Sequence, residues 1–281
     1  MMATHLHPVP RPQEELAPAP IHVNVEAVTK VFSRQHAEPV HALGPVSFSL
    51  RRKEFFSVVG PSGCGKSTLL DVIAGLSAPS DGVIEFEGQR VNGQVPDGVA
   101  VVFQEDASFP WLSVFDNAAF GARRAGLAET EVRERVDHAL AFMGLARFAS
   151  AYPAQLSGGM RQRVCIARAM VMRPRLMLLD EPFGALDQQT RLLMGEETLK
   201  LWRETESTIM LITHSIDEAV MLSDRVGTMS ARPGTFIDIV ETGWSRERGS
   251  ETALDPRFGA LQSQIWGKLR SESLKTLGER S

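Results

Sequence analysis

Gly60-Pro61-Ser62-Gly63-Cys64-Gly65-Lys66-Ser67 has the spacing G-x-x-x-x-G-K-[ST], a set of residues suited to cradling a chain of phosphates. Glycines 60, 63 and 65 let the backbone curl close to an anion without side-chain clash. Successive N–H groups then point inward, and the positive end of a following helix favours negative charge. Lys66 would reach the terminal phosphates as a point charge, and the Ser67 hydroxyl would ligate Mg²⁺. The candidate nucleotide-binding set therefore runs from Gly60 to Thr68. A second constellation is Leu176-Met177-Leu178-Leu179-Asp180-Glu181, an apolar run ending in two acids. Adjacent carboxylates at a strand end fall on opposite faces and so serve different tasks. Asp180 would hold Mg²⁺ through water, and Glu181 would polarise an attacking water.

These groups need a scaffold, and the hydrophobic pattern supplies one. Phe55–Val59 reads as a strand before the glycine loop, and Thr68–Gly75 as a helix after it, with Leu69, Leu70, Val72 and Ile73. Ile21, Val23 and Val25 alternate with polar residues, which predicts a strand with one wet face. Further strands are expected at 46–50, 83–87 and 99–103. Residues 128–173 turn helical, with Val132, Val136, Leu140 and Met143 on one face. Buried-strand runs then alternate with helices: Leu176–Leu179, a helix near 188–205, Ile209–Thr213, and a helix near 216–223. That order predicts an α/β fold with a helix-covered parallel sheet. A final segment, 255–275, places Phe258, Leu261, Ile265, Trp266 and Leu269 on one helical face.

Composition sets limits. The chain has 281 residues, 43% hydrophobic and 23% charged, with a formal net charge of −4. That balance offers no broad footprint for nucleic acid, so no such partner is expected. Two cysteines, Cys64 and Cys165, make no disulfide framework and suit a reduced cytosolic protein. No apolar run reaches the roughly 18 residues of a membrane span. Residues 1–20 carry five prolines and no periodic apolar pattern, and are expected to form a disordered lead.

Leu156-Ser157-Gly158-Gly159-Met160-Arg161-Gln162-Arg163 resembles the signature motif of ABC ATPases, and other family motifs follow in order. The resemblance covers about residues 21–270. It implies a phosphate-loop NTPase with a β-rich N-terminal subdomain, a parallel-sheet core and a helical subdomain at about 105–173. The ATPase domain would span 21–245, followed by a helical extension over 246–281. The signature residues Ser157, Gly158 and Gly159 start a helix whose bare N–H groups would meet the ATP of the opposite subunit, so two copies must pair head to tail. Gln104 matches the glutamine that senses metal and nucleophilic water, and His214 the switch histidine at the γ-phosphate. Ala185-Leu186-Asp187 looks like the loop that couples the two sites. Phe32 sits where the family stacks an aromatic ring on adenine. The resemblance thus implies ATP and Mg²⁺, the metal being held by Ser67, Gln104 and Asp180.

One nucleotide site and no membrane span resemble a bacterial importer subunit rather than a fused exporter. Residues 104–117, 180–191, 216–220 and 230–234 are similar to the nitrate, sulfonate and taurine importer group. That likeness implies permease subunits, a solute-binding protein reached through the complex, and a peripheral position on the cytoplasmic face of the inner membrane. Large apolar residues in Phe109-Pro110-Trp111-Leu112 suit a groove for a partner helix, or a plug between sheet and helical subdomain. A non-transport regulatory ATPase and the ATPase of a multi-part exporter remain the alternatives.

Overall fold

The computed structural model describes residues 19–34, 37–105, 107–184 and 186–278. The expected disordered lead therefore falls almost wholly outside the described residues, as do Asp106 and Ala185. An antiparallel sheet opens the chain. Strands β1 (Ile21–Arg34) and β2 (Ala37–Arg51) pair along their lengths, and β1 also pairs with β4 (Asp81–Phe86), which carries the short β5 (Gln89–Arg90). The register of β1 with β2 slips several times, including between Val25 and Val28. Such bulges break the two-residue alternation, so the sequence shows only pieces of this hairpin at 21–25 and 46–50.

The second sheet has the order β10-β9-β3-β8-β7-β6. It is built from β3 (Phe55–Val59), β6 (Val99–Val102), β7 (Leu176–Asp180), β8 (Thr208–Ile212), β9 (Arg225–Met229) and β10 (Phe236–Glu241). All neighbours are parallel except β9 and β10. The central strands β3, β7 and β8 are buried at every position, because both faces are covered. Phe55, Leu179 and Leu211 face one apolar core, and Phe56, Leu178 and Met210 face the other. Helix α1 (Lys66–Ile73) and the antiparallel sheet cover the second core.

The first core is closed by α2 (Val114–Arg124), α3 (Glu129–Phe142), α4 (Gly158–Val171), α5 (Gln188–Thr205) and α6 (Ile216–Leu222). Helix α2 lies within the helical subdomain that the resemblance implies at about 105–173, but the apolar pattern alone does not mark it, since the aromatic, proline-containing stretch before it obscures its short apolar face. The long α7 (Pro256–Gly278) packs on α6, β9 and β10. Phe258, Ile265 and Leu269 are buried there as expected, but Trp266 is 54% exposed. Trp266 lies about 80° around the helix from Phe258, at the edge of the apolar face rather than within it. No helix among the described residues is long and apolar enough to cross a membrane.

Candidate ATP-hydrolysis site

The glycine loop joins the buried strand β3 to α1, so its backbone is held at both ends. Gly65 has φ +110°, and a Cβ there would stand 2.6 Å from the Ala42 carbonyl oxygen. Only glycine fits that conformation and that approach. The loop leads into α1 with no acidic residue in the first helical turn and no side-chain cap, leaving the helix N-terminus open for an anion. Lys66 is nearly buried, and its Nζ donates to the carbonyls of Gly60 at 2.9 Å and Pro61 at 3.0 Å. The Cys64 thiol is buried beneath the loop, and that burial raises its pKa despite the nearby Lys66.

Strand β7 delivers the two acids. Asp180 is 7% exposed, and its Oδ1 has no hydrogen-bond partner. Burial raises the pKa of its carboxyl, repulsion from Glu181 and Asp71 adds to this, and hydrogen bonding with Ser67 opposes it. Glu181 turns the other way. Its φ of +43° is left-handed, and its N–H is anchored on the Ile212 carbonyl of β8 at 2.9 Å. An uncommon backbone of this kind costs about 1 kcal/mol or more and is found where the fold dictates a side-chain direction. Here it brings Oε2 to 3.1 Å from Gln104 Nε2 and 3.2 Å from His214 Nδ1.

Gln104, Glu181 and His214 thus meet over the glycine loop at the wall of one cavity of about 500 Å³, together with Lys66, Ser67 and Thr68. Phe32 lines the same cavity with Val40 and Ala42. Its ring is partly exposed, with Lys30 Nζ at 5.1 Å from the centroid. Residues separated by almost two hundred positions in the chain therefore surround one space.

Ser157, Gly158 and Gly159 are placed elsewhere and do not line this cavity. Ser157 caps α4, its Oγ accepting the Met160 N–H at 3.3 Å; Gly158 stays exposed and Gly159 is half-buried. Asp187 caps α5, accepting from Thr190 N at 3.0 Å and Thr190 Oγ1 at 2.7 Å, and those bonds lower its pKa. A Cβ on Gly159 would stand 2.4 Å from Leu186 Cδ2, so the two stretches pack against each other. Helix α4 also reaches the segment carrying Gln104: Gln162 Nε2 donates to the Phe103 carbonyl at 3.1 Å.

Three residues of the cavity wall, Val40, Ala42 and Arg232, are not among the site residues expected from the sequence. Arg232 lines the pocket and donates from Nε to the Gly63 carbonyl at 3.2 Å. The run Ser230–Gly234 is visible in the sequence, but nothing local ties it to a loop 169 positions away.

The family model described as ABC transporter matches residues 43–184. An uncharacterised ABC transporter ATP-binding protein of Methanocaldococcus jannaschii is 42% identical over 257 residues, covering 92% of this chain and 94% of that protein. A taurine import ATP-binding protein of Rhizobium johnstonii is 42% identical over 254 residues, with 89% and 97% covered. A nitrate import ATP-binding protein of Synechococcus elongatus is 42% identical over 246 residues, with 86% and 89% covered. Among solved structures, a dimeric ATP-binding cassette in a post-hydrolysis state with ADP and Pi superposes with a TM-score of 0.71 at 31% identity, covering 79% of this chain and all of that one. The chain belongs to the ABC transporter family, as an ATP-binding and ATP-hydrolysing subunit resembling the taurine and nitrate import group.

Proposed function

We propose that this subunit powers uptake of a small solute of the nitrate, sulfonate or taurine kind from the cytoplasmic face of a bacterial inner membrane. The observation that carries the chemistry is the meeting of Gln104 and His214 on one oxygen of Glu181 above the phosphate loop. Glycines 60, 63 and 65 with Pro61, Ser62, Cys64 and Thr68 present backbone to the phosphates, while Lys66 exchanges its two carbonyl partners for phosphate oxygens. Phe32 stacks on the adenine. The orphaned Oδ1 of Asp180 beside Ser67 fits a cation, and Ser67, Asp180 and Gln104 would hold Mg²⁺ there, the phosphates completing its shell. When bound, the metal offsets charge on the phosphates. Glu181 orients the attacking water, and His214 contacts the γ-phosphate. Ser157, Gly158 and Gly159 act on the ATP of a second copy, with Asp187 at the junction between the sites.

Docking on permease subunits rests on the 104–117 region. Trp111 is 71% and Phe120 46% exposed, and both rings lie against Phe109. Arg168 stacks on the Phe109 ring at 4.9 Å. Exposed rings on a rigid base suit an amphipathic helix from a membrane protein. A solute-binding protein completes the complex and selects the cargo.

Glu181→Gln tests the chemistry. It should bind ATP as the parent does, lose at least about 100-fold in turnover, and accumulate as an ATP-bound dimer by size exclusion. Near-normal turnover would remove Glu181 from its role. Import is tested by reconstituting the subunit with its permease in vesicles, where ATP-dependent accumulation of taurine, nitrate or an alkanesulfonate is expected and outward movement points to an exporter.

A further inference from the structure

Arg232 approaches the nucleotide cavity from the loop between β9 and β10. Its Nε is engaged on Gly63, and a Cβ on Gly63 would stand 3.4 Å from its Nη2. The guanidinium therefore rests on the rim of the phosphate loop, facing the cavity it lines. No other hydrogen bond among the described residues engages its terminal nitrogens, which carry four further donors. Lys66 is the other Lys or Arg of the lining, and its ammonium is engaged by the carbonyls of Gly60 and Pro61.

The loop that carries Arg232 is built rather than draped. Gly234 N–H donates to the Ala42 carbonyl at 3.1 Å, and Gly44 N–H donates to the Gly234 carbonyl at 3.1 Å. A Cβ on Gly234 would stand 2.2 Å from the Cys64 carbonyl oxygen, so the loop presses directly on the phosphate loop. From behind, Glu272 of α7 accepts the Ala231 N–H on Oε2 at 2.9 Å. Glu272 is 7% exposed and also accepts from Lys275 Nζ at 2.6 Å. A single buried carboxylate from the last helix thus fixes the residue preceding Arg232.

We propose that Arg232 contacts the phosphates of bound ATP, and that Glu272 is its positioning residue, making α7 part of the nucleotide site. Guanidinium suits this task because its planar donors match phosphate oxygens and its charge persists at any working pH. The contact is partly solvated, so its contribution to affinity is about tenfold rather than the larger factor of a buried pair. The proposal rests on the ATP-site reading above, and the same titration separates the two: a parent chain that binds no ATP overturns that reading, whatever Arg232 does.

The test is displacement of a fluorescent ATP analogue by ATP and by tripolyphosphate, on the full chain without Mg²⁺, at concentrations where it sediments as a monomer. Arg232→Ala should weaken both competitors about tenfold, with Arg232→Lys recovering part of the loss. Glu272→Ala should weaken ATP several-fold, and Glu272→Gln, which keeps an acceptor oxygen, should stay near the parent. In the Arg232→Ala background, Glu272→Ala should have no further effect. Thermal melts accompany each variant, and Arg232→Gln replaces the alanine if that variant fails to fold. Unchanged tripolyphosphate competition in a folded Arg232 variant overturns the phosphate contact. A Glu272→Ala loss that persists without Arg232 overturns the positioning role.

Discussion

Asp180→Asn should stabilise the empty protein while disabling it. The native carboxylate is nearly buried at the end of β7, has one oxygen without a hydrogen-bond partner, and faces Glu181 and Asp71. A buried unpaired polar group costs about 1–3 kcal/mol, and more when charged. Asparagine removes the charge and the repulsion but keeps the shape, so a net gain of about 1 kcal/mol is expected. For a chain of this size that corresponds to a rise in melting temperature of about 2 °C. The sign follows from linkage: the folded-state pKa is raised above its ordinary 3.8, so the charged form opposes folding at neutral pH. The advantage of asparagine should therefore shrink as pH falls through the folded-state value toward 3.8. With Mg²⁺ and ATP the order should reverse, since a ligand at 100 times its Kd stabilises the parent by about 2.7 kcal/mol. Scanning calorimetry at pH 7.5 with and without Mg²⁺ATP reads both effects, and a phosphate-release assay should show turnover at least about 100-fold lower. A lower melting temperature for the empty variant than for the empty parent would refute the reasoning, because the carboxylate would then be well satisfied.

Gly65→Ala should cost at least about 2 kcal/mol, as its backbone is left-handed and its Cβ meets the Ala42 carbonyl; a chemical-denaturation midpoint checks this. Asn117→Ala should cost about 3 kcal/mol. That buried amide accepts from Phe109 N and donates to the carbonyls of Phe109, Leu112 and Ser113. Its loss should also release the aromatic loop, read as faster proteolysis near Trp111 with little change in ATP affinity. Burial raises the pKa of Glu218 despite the hydrogen bond it accepts from Thr213 and its ion pair with Arg191. Glu218→Gln should therefore raise the melting temperature at pH 8, and the gain should fade toward the ordinary 4.5.

The candidate site was legible where one contiguous stretch carries it. The glycine loop needs fixed residues within eight positions, and the acids of β7 follow directly from an apolar run. Burial on both faces makes β3, β7 and β8 near-continuous apolar runs, so the core sheet was readable too. Where long-range packing decides, the sequence was mute. Bulges erased the alternation of β1 and β2, and Trp266 sits one position off a face that looked continuous. Helix α2 begins at a Ser113 cap whose oxygen accepts the Asp116 N–H at 3.0 Å. That Ser-x-x-Asp spacing was available as a start signal. Arg232 stands in the visible run Ser230–Gly234, but nothing local ties that run to Gly63, which lies on another strand's loop.

One oxygen of Glu181 serves as anchor for both Gln104 and His214. On the proposed roles, the group that must orient water begins with one of its two oxygens already engaged. Releasing those two arms costs about 1–3 kcal/mol, which would hold hydrolysis back by roughly one to two orders of magnitude wherever they stay engaged. The arms are also the groups assigned to metal and γ-phosphate. On those roles, arrival of ATP with its metal would draw both arms away and free the oxygen for water, so the site arms itself only once its substrate is in place.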